Sequence, residues 1–240
     1  MKKFILPIAI ASFALTNCNG LQQVANSLPA IIENSSLGQT QIAAGLKEAL
    51  QQGIDKQVVN LTKTDGFYNN QLVRIGLPSE LQKVEKTLRD VGLGSLADEG
   101  IKALNKAASS AVKEATPIFV DAITKMTISD ATNILMGNKN AATQYLIKST
   151  KTSLYNKFNP VIKSSFTKVG ADKVWSNIIT KYNALPMVKD VNPDLTDYVT
   201  EEALKGVYTM IEKEEANIRT NTAARTTNLL KSVFALQDKK

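Results

Sequence analysis

The chain has 240 residues, 43% of them hydrophobic, with a net charge of +7, one cysteine and no histidine. The missing histidine excludes Ser-His-Asp and Cys-His nucleophiles; together with the lone cysteine it also excludes the usual zinc and copper ligand sets and any internal disulfide. Of the 29 basic residues only Arg74, Arg89, Arg219 and Arg225 are arginine, and the lysines form no dense stripe, which argues against nucleic-acid recognition.

Met1-Lys2-Lys3 places positive charge ahead of an apolar run, Phe4 to Leu15, interrupted only by Ser12. Leu15-Thr16-Asn17-Cys18 follows at once. A charged start, a short apolar run and a processing site describe an export leader. The run is shorter than the roughly 20 apolar residues that span a bilayer. The cysteine at the junction reads as a lipidation site, with residues 1–17 as a lipoprotein-type signal and Cys18 as the acylated first residue. A plain secretory leader with a chance cysteine and a retained anchor are the alternatives, and Asn17 replaces the small residue usual before the acceptor. Asn19, rather than Asp, after Cys18 points to the outer membrane by the enterobacterial sorting rule. Losing Lys2 and Lys3 with the leader lowers the charge from +7 to +5. The lysines then form a solvated surface able to be drawn to anionic envelope components.

Residues 18–40 are small and polar, with Pro29 and an Asn34-Ser35-Ser36-Leu37-Gly38 stretch, and read as a tether. Residues 41–240 read as one helical domain. Ile42, Leu46, Ala49, Leu50, Ile54, Val58 and Leu61 recur at three and four residues, a helical stripe that Asp65-Gly66 ends. Phe67 to Gly76 is irregular. Pro78 starts the next helix, with Leu81, Val84, Leu88 and Val91 inward, and Gly92 stops it. A third helix spans Ser95 to Ala115. Thr116-Pro117 then breaks and restarts the chain, Thr116 capping and Pro117 at the first position. Met126 ends that piece, and Thr127 or Ser129 caps a short helix from Asp130 to Met136, before Gly137. Ala141 to Phe158 is helical, Asn159-Pro160 is a second break, and Gly170 closes the piece that follows. Ala171 to Leu185 carries Val174, Trp175, Ile178, Ile179 and Tyr182. Asn192-Pro193-Asp194 starts a helix reaching Arg219 or Thr220. Asn221 ends it, and Thr222 to Leu236 forms the last helix, which Arg225 begins. No segment alternates as a strand does. The expectation is all-α, a single domain of about eight to ten helices behind a signal and a short tether.

Several segments resemble a bacterial domain-of-unknown-function family, number 4197. They are Gly66-Phe67 with Asn69-Asn70 and Ile75-Gly76-Leu77-Pro78; Met126-Thr127-Ile128-Ser129-Asp130-Ala131 with Ile134-Leu135 and Gly137; and Ala141-Ala142-Thr143-Gln144-Tyr145. Late in the chain come Asp194-Leu195, Tyr198-Val199, Glu214-Glu215, Ile218-Arg219 and Arg225-Thr226-Thr227 with Leu229-Leu230. The resemblance covers roughly residues 45–236 and implies an exported, mostly helical protein, with no activity attached. One stretch departs from the family's Asn-x-Ala-Ala-Glu pattern: Asn105-Lys106-Ala107-Ala108 is followed by Ser109. A role for that carboxylate does not transfer here.

Asp121, Asp130, Glu214 and Glu215 are the carboxylates able to run acid/base chemistry if their environments split. Against that, Asp130 sits at a helix start, and Glu215 and Arg219 are spaced as an intrahelical pair, expected to be solvated. Arg219 and Arg225 flank a helix corner, where they would clamp an anion or tie the last helix down by ion pairs. The candidate anion or ligand contacts are Arg219, Arg225, Asp130, Tyr145 and Glu215. Gly137 and Ala141-Ala142-Thr143 permit close approach by a helix or a ligand. Trp175, Tyr182 and Phe166 suit a core. No catalytic residue is assigned, and no metal or cofactor is expected. The functional expectation is a lipid-anchored, periplasm-facing outer-membrane module that binds an envelope protein or an apolar ligand held between helices. The alternative is a carboxylate-based hydrolase, with or without an oxygen-ligated divalent cation.

Overall fold

The computed structural model describes residues 37–238, apart from 91, 93 and 184–193. Among the described residues lie nine α-helices and one 3₁₀ turn, with no strand, so the all-α expectation holds. The helices are α1 (Gln39–Thr62), α2 (Ser79–Asp90), α3 (Gly94–Val112), α4 (Ala115–Lys125) and α5 (Ile128–Leu135). They continue with α6 (Ala141–Val169), α7 (Ala171–Asn183), α8 (Thr196–Thr220), the 3₁₀ turn Thr222–Ala224 and α9 (Asn228–Asp238). The leader, Cys18, Val91, Asn192 and Pro193 lie outside the described residues, as do the side chains of Leu88, Val174, Ile178 and Tyr182. No helix among the described residues is long and apolar enough to cross a membrane.

Three long helices form the frame. α1 packs against α4, α5, α8 and α9, while α6 packs against α3, α4, α7 and α8. The α1 stripe buries Ile42, Leu46, Leu50, Ile54, Val58 and Leu61, as the three-and-four spacing predicts. Asp65, at φ 55°, makes the turn after α1. A side chain at Gly66 would sit 2.5 Å from the Asn60 carbonyl oxygen, so the next residue must be glycine. That turn delivers Phe67 to the core, where it is fully buried with Phe119 and Phe158. Phe119 meets Tyr208 edge-on, ring centroids 6.1 Å apart.

Three predicted boundaries are corrected. The restart at Thr116-Pro117 lies two residues earlier: α4 begins at Ala115, behind Glu114, which makes no side-chain cap. Pro117 is then the third helical residue, whose N–H would still lack an intrahelical acceptor, so proline is tolerated there. Asn159-Pro160 breaks nothing, because α6 runs through it for 29 residues. A proline inside a helix costs about 3 kcal/mol. Fully buried Phe158 and Ile162 flank it, and each contributes about 1.5–3 kcal/mol by leaving water. Pro160 itself and Asn156, whose carbonyl loses its donor, face solvent.

The third correction concerns the end of the chain. Residues 222–236 are not one helix. Asn221 accepts a hydrogen bond from the Ala223 N–H and holds a 3₁₀ turn. Arg225 follows with extended-side backbone, φ −84° and ψ 86°. The Thr227 hydroxyl then caps α9 by accepting from the Leu230 N–H at 3.2 Å. Arg225 therefore stands in the link before the last helix, not at its start.

Candidate functional site

The buried charged residues Glu214, Glu215, Arg219 and Arg225 gather at one corner, where α8 ends against α1, α5, α6 and α9. Arg219, in the last turn of α8, has a side chain only 3% exposed. Its Nε donates to Glu215 Oε1 at 3.0 Å, one Nη to the Leu135 carbonyl at 3.0 Å and to Gln237 Oε1 at 2.7 Å, and the other to the Ile134 carbonyl at 2.8 Å. The two carbonyls belong to the C-terminal turn of α5, where a cation meets the negative end of the helix dipole.

Glu215 does the converse at α6. Its carboxylate accepts from the backbone N–H of Ala142 at 2.9 Å and of Thr143 at 2.8 Å, and from the Thr143 hydroxyl at 2.8 Å. The free amides at the start of α6 thus have a carboxylate from a distant helix as their cap. One ion pair thereby closes both helix ends that flank the loop 136–140. The expectation that this pair is solvated is corrected: the Glu215 side chain is only 6% exposed and its partner's 3%.

Arg225 clasps the chain end. Its Nε donates to the Ile218 carbonyl at 3.0 Å and one Nη to the Arg219 carbonyl at 2.9 Å, so it caps α8. The guanidinium also grips the Asp238 carboxylate with two bonds and lies 5.5 Å from the Phe234 ring centre. Hydrogen bonding from Arg225 holds the Asp238 carboxyl below the usual carboxylate range. Of the two readings drawn from sequence, the geometry matches the ion-pair tie: the arginine donors face internal acceptors rather than an open anion site.

Glu214, next in line on α8, points toward α1. Its carboxylate accepts from Lys56 Nζ at 2.6 Å and Gln57 Nε2 at 2.9 Å. Gln57 Oε1 is buried without a hydrogen-bond partner among the described residues. Outside Glu214 lies an open groove of about 320 Å³, whose polar rim is Gln52, Lys56, Asn217, Asn221 and Thr226. Inside it is an apolar space of about 20 Å³ among Leu46, Leu50, Ile211 and Phe234. A void of that size holds little more than one water, whereas ligand pockets run to hundreds of Å³.

Asp130 and Tyr145 stand apart from this corner. Asp130 closes a capping box with Thr127, taking the Thr127 N–H at 3.0 Å while the Thr127 hydroxyl accepts from the Asp130 N–H at 3.1 Å. Tyr145 donates to the Ala122 carbonyl at 3.2 Å; burial, and then the nearby Asp130 charge, push its phenol up. Asp121 forms an exposed pair with Lys125. Phe166 and Trp175 are core residues, as their spacing predicts.

A family model described as "Protein of unknown function (DUF4197)" matches residues 36–235. The chain belongs to that family. No curated protein and no solved structure matches it. The segments that carry the family resemblance lie at the joints of the fold. Asn105 of α3 ties the Ile75 segment through the Ile75 N–H at 2.8 Å and its carbonyl at 2.7 Å, and Tyr198 donates to the Gly76 carbonyl at 3.1 Å. Ser109, four residues on, is buried with a hydroxyl that has no hydrogen-bond partner among the described residues. Sequence reasoning named Asn105 only within the family stretch and did not single out Lys56, Gln57 or Asp238, because the partners of these residues lie far away in the chain or beyond a turn that was read as helix.

Proposed function

We propose that the chain is an exported lipoprotein of the bacterial envelope, anchored through Cys18 in the outer membrane and facing the periplasm. On this reading its helical domain is a non-catalytic binding or structural module, and its partner is the polar surface of another envelope protein. The observation that carries the partner class is the contrast at the corner. The outer groove of about 320 Å³ is open and polar-rimmed, while the apolar space behind it is only about 20 Å³. An apolar ligand held between helices needs more room than that. The hydrolase alternative needs two carboxylates converging on one substrate. Among the described residues Glu214 is the one carboxylate that faces the groove; Glu215 faces the amides of α6.

Two measurements test the proposal. Radiolabelled palmitate should enter the wild-type protein and not Cys18→Ser; equal labelling, or none in either, removes the anchor. A photo-reactive side chain at Asn221 should capture one discrete envelope protein in living cells, whereas the same group at exposed Lys139 should not. Identical capture at both positions removes the groove as the partner site.

A further inference from the structure

A second groove, separate from the corner, lies between α3 and α6. It encloses about 540 Å³, within the range of small-molecule sites. Its polar groups are Lys106 and Ser110 from α3 and Ser164, Ser165 and Lys168 from α6. Its floor is apolar, made by buried Ala107 and half-buried Ala103 and Val161, with exposed Pro160 beside them. Among the described residues no carboxylate lines it.

The charge distribution is uneven here. α6 carries Lys148, Lys151, Lys157, Lys163 and Lys168 and has no Asp or Glu in 29 residues. Lys151 has Glu201 as a partner across from α8, and the Lys163 charge acts on Asp194. Lys106 and Lys168, the two cations on the groove, are exposed and form no ion pair among the described residues. The hydroxyls of Ser164 and Ser165 have no hydrogen-bond partner there either, and Ser110 donates only to the Lys106 carbonyl. Two ammonium groups and the two uncommitted hydroxyls of Ser164 and Ser165, around a concave space, form a donor set for an anion. The low alanine floor offers a short carbon skeleton an apolar surface to lie on.

We propose that this groove binds a phosphate ester, with the phosphate between Lys106 and Lys168 and the attached polyol or glycerol on the Ala103–Ala107 floor. The chemistry is shared by a free sugar or glycerol phosphate and by the head group of an anionic phospholipid. The site is independent of the corner groove and of the lipid anchor, and it stands or falls separately from both.

Calorimetric titration of the full chain at low salt tests it. The probes are glycerol 3-phosphate, uncharged glycerol, and the short-chain lipids dihexanoylphosphatidylglycerol and dihexanoylphosphatidylcholine. Three proteins are compared: wild type, Lys106→Gln/Lys168→Gln, and the control Lys139→Gln/Lys231→Gln, which removes equal charge elsewhere. Circular dichroism checks that all three are folded, as expected for exposed positions. Wild type and control should bind at least one anionic probe and neither glycerol nor the choline lipid, and the groove variant should bind at least about tenfold more weakly. Binding of glycerol 3-phosphate assigns a soluble ligand. Binding confined to the phosphatidylglycerol probe assigns a lipid head group. Binding of neither anionic probe, or equal binding by the groove and control variants, overturns the proposal.

Discussion

Arg219 makes four hydrogen bonds from one buried guanidinium, to α5, to α9 and to Glu215 of its own helix. Removing it leaves a buried carboxylate without its cation and two helix-end carbonyls without a donor. Losing one partner of a buried pair costs about 3–5 kcal/mol. Arg219→Ala should therefore destabilise the fold by about that much. Arg225→Ala should cost less, because its carboxylate partner Asp238 is 41% exposed and returns to water. Urea melts of both variants decide the order, and a larger loss in Arg225→Ala would contradict it. Sulfate should not separate either variant from wild type, because Glu215 already occupies the anion position at α6. The spacing of Glu215 and Arg219 made this pair legible in the sequence. Its burial was not, because i,i+4 spacing says nothing about what covers the face. A second residue-scale outcome concerns Tyr208, whose phenol burial pushes up to about 12. A neutral phenol with a raised folded value favours the fold below the ordinary value of about 10. That contribution is lost as pH rises from there toward 12. Stability measured by urea melts should fall over that window, and the fall should be smaller in Tyr208→Phe.

At the scale of elements, α1 contains two buried glycines with opposite expectations. A Cβ at Gly45 would lie 2.6 Å from Val233 Cγ2 and 3.1 Å from Val233 Cβ, so α9 is seated directly on the α1 backbone. A Cβ at Gly53 would meet Glu214 Cγ at an ordinary 3.4 Å. Gly45→Ala should lower stability by about 1–3 kcal/mol through overpacking. Gly53→Ala should leave it unchanged or raise it by up to about 1 kcal/mol through helix propensity. Thermal melts that move both variants the same way would show that α9 does not rest on Gly45. Pro160→Ala offers a matching test within α6. It restores a donor to the Asn156 carbonyl, so it should stabilise the protein. The helices were legible from apolar spacing, and their ends at Gly92 and Gly170 from glycine, both in positive φ. The breaks were less so. Local proline chemistry suggested an end at Pro160, and burial of Phe158 and Ile162 overrode it. At Arg225, a long side chain folding back on α8 ended what propensity alone would have continued.

For the whole molecule, internal ion pairs and caps account for the buried charge at the corner without any cation beyond lysine and arginine. Thermal melts of the full chain in EDTA and in millimolar Ca²⁺ or Mg²⁺ should coincide. A stoichiometric stabilisation by either ion would revive the hydrolase alternative. The all-α class was readable because no stretch alternates and most stripes repeat at three and four residues. The corner was not readable as a site, because it is assembled from residues of α1, α5, α6, α8 and α9 that are neighbours only after folding. The groove between α3 and α6 was hidden for the same reason: its two lysines lie on helices separated by α4 and α5, and in the sequence they look like ordinary solvated charge.

The seating of α9 on α1 has a consequence for the order of events in the cell. Gln52 is hydrogen-bonded to Thr226, 174 residues downstream. Ribosomes add about 5–20 residues per second, so the first helix waits on the order of ten to thirty seconds for the partner that covers it. During that interval its apolar stripe lacks its α8 and α9 cover, and no N-terminal part of the chain can complete the core alone. For a chain that carries an export leader, as proposed above, the delay keeps the polypeptide threadable. Completion of the core waits for the final helix, which leaves translocation time to begin on a chain not yet fully folded.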